Sequence, residues 1–142
     1  GLKRHPRDLH WYLRQVEELL IRALDGFGIS CERKQGYTGV WIEDRKIASI
    51  GVHARDWVTW HGFALNVTTD LRYFDLIIPC GIPAVRMTSL AGELSPREVK
   101  MSEVVDTVAH ATADVFDLTT RPISLDELAA SLRMPAPAIP AT

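Results

Sequence analysis

The chain has 142 residues, 46% hydrophobic and 24% charged, a balance that suits one soluble domain able to bury its own core. Its 16 basic and 18 acidic residues leave a formal net charge of −2, so no overall positive field invites nucleic acid. No apolar run in it nears the roughly 18–20 residues that a membrane-spanning helix requires.

No signal peptide is visible, and Gly1 in place of Met means that the true N-terminus is not in view. Cys31 and Cys80 lack C-x-x-C spacing, which disfavours a zinc knuckle or a redox pair. A Cys31–Cys80 disulfide stays open, but reduced thiols in a cytoplasmic protein are the expectation.

From Pro6 to about Asp25, Leu9, Tyr12, Leu13, Val16, Leu19, Leu20, Ala23 and Leu24 recur at spacings of three and four. That is one face of an amphipathic helix, with Arg7, Asp8, Arg14, Glu17, Glu18 and Arg22 mostly turned to water. Gly26 and Gly28 suit its end. Between Ile29 and Val67 the runs "TGVWIE", "KIASIGVH" and "WHGFALNV" are β-rich, separated by "DR" and "ARDW". Three antiparallel strands in succession are expected, although neither break carries an Asn-Gly hairpin signal.

"TTDLRYFDLI" reads as a turn or short helix leading into "PCG". After "MTSLAGELSPREVK" comes a helix with Ser102 as its N-cap and Val104, Val105, Val108, Ala109, Thr112, Val115 and Phe116 as its stripe. Ser124 and Glu127 form a capping box for a third helix in "SLDELAASLR". One domain over residues 1–133 is expected, followed by a disordered Pro-rich tail over 134–142. Segregated strands and helices point to an α+β fold, a mainly antiparallel sheet flanked by helices.

The chemistry centres on "DLIIPCGIPAV". Pro79 and Pro83 fix the local backbone and Gly81 tolerates positive φ, so Cys80 sits in a sharply shaped turn. Burial statistics favour a space-filling thiol, yet exposed backbone N–H groups beside a Pro-Cys-Gly turn can stabilise a thiolate or an oxyanion. A nucleophile needs a base or cation nearby. Lys46, over the small apolar floor "IASIG", and His61 in "TWHGFALN" are the candidates. A desolvated lysine beside a thiol would give thiolate plus ammonium, because lysine is the stronger base. For Lys46 the alternative is a solvated hairpin residue, and for His61 a core histidine bonded to backbone. Cys31 is assigned to packing. No metal-ligand cluster, Walker loop or G-x-G-x-x-G is present, and no cofactor is expected.

The motifs "GYTGVWIEDRKIASIGV", "HGFALNV" followed by Asp70 and Phe74, "IIPCGI" and "TSL", in this order, resemble the octanoyltransferase family, also called lipoyl(octanoyl) transferases or lipoate–protein ligase B. The fold that this implies is similar to the lipoate/biotin protein ligase catalytic domain. The resemblance implies a Cys80 and Lys46 dyad, separated by 80 − 46 = 34 positions. It also implies transfer of an octanoyl group from octanoyl-acyl carrier protein, through an acyl-cysteine thioester, to a lysine of lipoyl domains of 2-oxoacid dehydrogenases or the glycine-cleavage H protein.

Ile47, Ala48, Ser49, Gly51, His61, Gly62, Phe63 and Ala64 are the expected lining of the acyl site, or else core. Backbone N–H groups at Cys80, Gly36–Gly39 and Gly62 are candidate oxyanion donors. Arg33, Lys34, Arg45, Arg55 and Arg72 are candidates for a basic patch that receives the acidic carrier. Family members carry upstream Arg-Gly-Gly and "HGPGQ" stretches that complete the acyl pocket. These are absent here, and an unpaired sheet edge is expected in their place. The rival readings are an ATP-dependent lipoate or biotin ligase, a non-catalytic acyl or carrier-binding module, and a structural domain with Cys80 buried.

Overall fold

The computed structural model describes residues 1–132, and the expected tail over 134–142 lies outside them. After a short 3-10 turn at Leu2–Arg4, helix α1 runs Leu9–Asp25. The Asp8 side chain accepts from the His10 and Trp11 N–H groups and so caps two orphan donors. The periodic face of α1 buries Val16, Leu19, Leu20, Ala23 and Leu24. Each large aliphatic there contributes about 1.5–3 kcal/mol relative to exposure. Glu17 is also buried, at 1% exposure, contrary to the expectation that it faces water.

The sheet is built from β1 (Val40–Ile42), β2 (Arg45–Arg55) and β3 (Val58–Leu65), antiparallel and in chain order. The β2–β3 hairpin turns at Asp56 and Trp57, both with positive φ. Two successive left-handed residues match the right-handed twist of the strands. A short strand β4 (Arg86–Met87), unforeseen in the sequence, pairs parallel with β2 at Arg45 and Lys46. The sheet is therefore mainly antiparallel with one parallel edge. β3 pairs only with β2, so its outer edge is open among the described residues.

Helix α2 (Leu90–Leu94) is capped by Ser89, whose Oγ accepts from the Gly92 N–H. Helix α3 runs Met101–Phe116; Lys100 is its N-cap, and Ser102 lies inside its first turn rather than capping it. Helix α4 (Leu125–Leu132) does carry the Ser124–Glu127 capping box, with reciprocal bonds of 3.1 and 2.8 Å. α1 and α3 pack on each other and cover one face of the sheet, closing a core that joins Leu20, Leu24, Val40, Ile47, Ala48, Leu90 and Val104. The other sheet face is left uncovered over much of β2 and β3. The fold is α+β, and that open face carries Lys46 and Ser49.

Candidate functional site

Cys80 lies in a 3-10 turn, Pro79–Gly81, preceded by a second 3-10 segment at Leu71–Leu76. The lead-in is thus the short helix read from "TTDLRYFDLI". Cys80 itself has φ 54° and ψ 23°, a left-handed conformation that costs a residue with a Cβ about 1–3 kcal/mol. The neighbouring Gly81 and Ile82 N–H groups are taken by the Ile78 and Pro79 carbonyls. The thiol is exposed and free, its Sγ 3.6 Å from the Ser49 Oγ on β2. Cys31 is also a free thiol, so no bridge joins the two. Burial, reinforced by Glu93 and Asp25, pushes the Cys31 thiol up to about 11.

Lys46 is 1% exposed, not the solvated hairpin residue of the bland alternative. Its position depends on an irregularity in β2. Val40 pairs with Ala48 but Trp41 pairs with Lys46, so Ile47 is an extra residue, a β-bulge. Ile47 and Ala48 both enter the core, and alternation resumes with Ile50 packed against it. Lys46 and Ser49 therefore share the opposite face, which a regular strand would forbid to residues three apart. The bulge carbonyl of Ile47 is met by the Asn66 N–H, and that of Lys46 by the Thr88 N–H. Asn66 Nδ2 donates to the Thr88 carbonyl, locking β3 to the segment after β4.

The Lys46 Nζ sits 5.3 Å from the centroid of the Trp41 ring, and Lys34 Nζ sits 4.8 Å from the same ring. No carboxylate lies within 4 Å of Lys46 among the described residues, so the π face of Trp41 is its observed electrostatic support. Behind it, Gly39 adopts φ +133°, and a Cβ there would lie 2.6 Å from the Ala48 carbonyl oxygen and 2.7 Å from Lys46 Cε. The Gly39 N–H donates to buried Glu17 Oε1 at 3.2 Å, so it is not free for an oxyanion. Glu17 is in turn paired with Arg14 at 2.5 Å and Arg33 at 3.3 Å. α1 thus pins the loop against which Lys46 rests. The helical phase of Glu17, on the stripe of Leu13, Leu20 and Leu24, is the signal that its place was inward.

A trough of about 380 Å³ lies beside Cys80, lined by Ser49, Ile50, Gly51, His61, Gly62, Phe63 and Ala64. Gly51 pairs with Gly62 and Ser49 with Ala64, so small residues keep it open. Of the expected acyl-site residues, Ser49, Gly51, His61, Gly62, Phe63 and Ala64 gather here. Ala48, like Ile47, is fully buried in the core and stands apart. His61 is exposed, with φ 69°, so it is not a core histidine.

Four of the five residues offered for a basic patch are ion-paired. Arg33 pairs with Glu17 and Glu18, Arg45 with Glu93, Arg55 with Asp56 and Arg72 with Asp70. The guanidinium groups beside Glu18 and Asp70 hold both carboxyls below the usual carboxylate range. Lys34 alone of the five makes no ion pair within 4 Å among the described residues. No helix of the described residues is long and apolar enough to cross a membrane, and no group of three His, Cys, Asp or Glu among them is placed to hold a metal ion.

A family model of the lipoyl protein ligase A/B catalytic domain matches residues 2–113. The octanoyltransferase of Synechococcus elongatus is 45% identical over 136 residues, covering 96% of this chain and 58% of that protein. The octanoyltransferase of Caldanaerobacter subterraneus is 42% identical over 129 residues, covering 91% and 56%. The chain thus spans little more than half the length of these relatives. The fold matches a crystal structure of lipoate-protein ligase A bound with ATP, with a TM-score of 0.69 over 88% of this chain and 55% of that one, at 16% identity. With its fold, its open-faced site and its relatives in agreement, the chain belongs to the lipoyl protein ligase A/B catalytic domain family.

Proposed function

We propose that the protein is an octanoyltransferase. In this reading it moves an octanoyl group from octanoyl-acyl carrier protein to a lysine of a lipoyl-accepting domain, through a thioester on Cys80. The observation that carries the reading is the bulge at Ile47, which sets buried Lys46 on the sheet face where Cys80 meets Ser49 at the mouth of an apolar trough. A lysine kept from water without a carboxylate is costly to the fold, and such groups cluster at functional sites.

In the first half-reaction the Cys80 thiolate adds to the donor's thioester carbonyl, and the carbon–sulfur bond to the carrier breaks. The departing carrier sulfur takes a proton from the Lys46 ammonium. In the second, the acceptor lysine's amine attacks the octanoyl–Cys80 thioester. A carbon–nitrogen bond forms, the Cys80 sulfur leaves as thiolate, and the amine's proton passes to Lys46. Charge and atoms balance over the cycle, and thioester-to-amide transfer runs downhill without ATP. The trough lies against the thiol, and its apolar floor suits an eight-carbon chain.

Intact-mass analysis and peptide mapping of the full-length protein with octanoyl-acyl carrier protein test this. An octanoyl adduct on Cys80, absent from Cys31 and discharged by a lipoyl domain, is the expected result. A Cys80→Ala variant that folds and still transfers at the wild-type rate overturns the covalent route.

A further inference from the structure

The segment from Cys80 to Arg86 has a cavity on each side. One is the apolar trough beside the thiol. The other, about 300 Å³, lies between Lys34, Tyr37 and Trp41 on one wall and Ile82–Arg86 on the other, with Asp44 at its rim. Trp41 belongs to this wall and to the contact with Lys46, so one ring separates the second cavity from Lys46.

Its chemistry differs from that of the trough. Lys34 is half-buried with its Nζ held over the Trp41 ring, and it has no carboxylate within 4 Å among the described residues. Arg86 is bonded to Asp44, whose carboxyl the guanidinium holds below the usual range. The charge of Lys34 also lowers Asp44, so two cations share one carboxylate and the site carries one net positive unit. Two cations against one carboxylate leave the cleft suited to receive an anion. Tyr37 adds an exposed ring and hydroxyl at the entrance.

We propose that this cavity receives the phosphate-bearing pantetheine arm of the acyl donor, with Lys34 as the cation that meets its phosphate. The inference rests on the octanoyltransferase reading and deepens it by placing the two ends of the donor. With the thioester over Cys80 and the alkyl chain in the trough, the arm crosses the Cys80–Arg86 segment into the cavity beyond. Its amides suit a polar cleft that would gain little from an alkyl chain. The same phosphate is offered by octanoyl-acyl carrier protein and by octanoyl-coenzyme A.

The test uses the full-length protein and follows the octanoyl adduct on Cys80 by mass against donor concentration. The donors are octanoyl-phosphopantetheine and octanoyl-pantetheine, which lacks the phosphate. In wild type the phosphate-bearing donor is preferred. Lys34→Met keeps the alkyl stem over Trp41, and it is expected to reduce that preference about tenfold, toward a ratio of one. Lys34→Arg is expected to restore most of it.

A Lys34→Met protein that acylates normally with an unchanged donor ratio overturns the inference and leaves the transferase reading standing. Failure of wild type to form the adduct with any donor, the carrier included, overturns both. Octanoyl-coenzyme A and octanoyl-acyl carrier protein separate the remaining case. An equal loss on both supports a phosphate contact. A loss confined to the carrier means that Lys34 meets the carrier's protein surface, and it overturns the proposal.

Discussion

Gly39→Ala is the perturbation that most sharply tests how Lys46 is held. The new methyl would lie 2.6 Å from the Ala48 carbonyl oxygen, a backbone atom within the sheet that cannot easily yield, and 2.7 Å from Lys46 Cε. Two costs add. Holding a residue with a Cβ at φ +133° costs about 1–3 kcal/mol. Overpacking against a fixed neighbour costs about 1–3 kcal/mol more. The expected loss is therefore about 2–6 kcal/mol, read from urea unfolding followed by the fluorescence of Trp41 and its neighbours.

Gly36→Ala is the matched control. Gly36 also has positive φ, 82°, but a Cβ there meets nothing within 4 Å, so only the conformational cost of about 1 kcal/mol applies. In Gly39→Ala the lysine must move as well, and octanoylation of Cys80 should slow at temperatures where the variant remains folded. In Gly36→Ala it should not. Equal unfolding midpoints for the two variants, or unimpaired acylation in Gly39→Ala, would refute the packing argument.

Alkylation of the native protein with iodoacetamide near pH 7.5, followed by peptide mapping, should modify exposed Cys80 well before Cys31, whose thiol is pushed up to about 11. Preferential labelling of Cys31 would contradict the burial assigned to it. Since the folded state raises the Cys31 thiol above its ordinary 9.0, the contribution of this group is intact below pH 9. It is lost as pH climbs toward 11, so Cys31→Ala should flatten any fall in stability across that window. Asp8→Ala removes the acceptor for two N–H groups at the start of α1 and should lower unfolding stability by about 1 kcal/mol, with Asp8→Ser retaining most of it.

What could be read from the sequence was what repeats locally. The apolar stripe of α1, the β-rich runs and the Ser124–Glu127 box each involve residues within a turn or a strand of one another, and the structure keeps all three. What could not be read depends on pairing between distant segments. β4 has two residues and exists because Thr88 and Asn66 anchor it beside β2. The bulge at Ile47 is set by the registers that β1 and β3 impose from either side, and no periodicity within "RKIASIG" reveals it. Glu17 looked solvated because its partners, Arg33 and the Gly39 amide, come from 16 and 22 positions away. Ser102 met the compositional rule for a cap, but α3 begins one residue before it. Cys80 stood out because proline and glycine mark unusual backbone, whereas its place across from Ser49 is a tertiary fact.

The bulge carries a consequence for how this strand tolerates insertion and deletion. Side chains along a strand obey a parity, and the odd residue at Ile47 reverses it between Lys46 and Ser49. Deleting that one residue would subtract little mass and leave the hydrophobic count almost unchanged. Yet with the hairpin register preserved, it would swing the lysine toward the α1–α3 side and bury its charge among leucines. Conversely, a compensating insertion one position nearer the turn would restore the sheet without returning Lys46 to the face of Ser49. In β2 the spacing between residues decides which face Lys46 takes, and a length change there is more consequential for that placement than most substitutions.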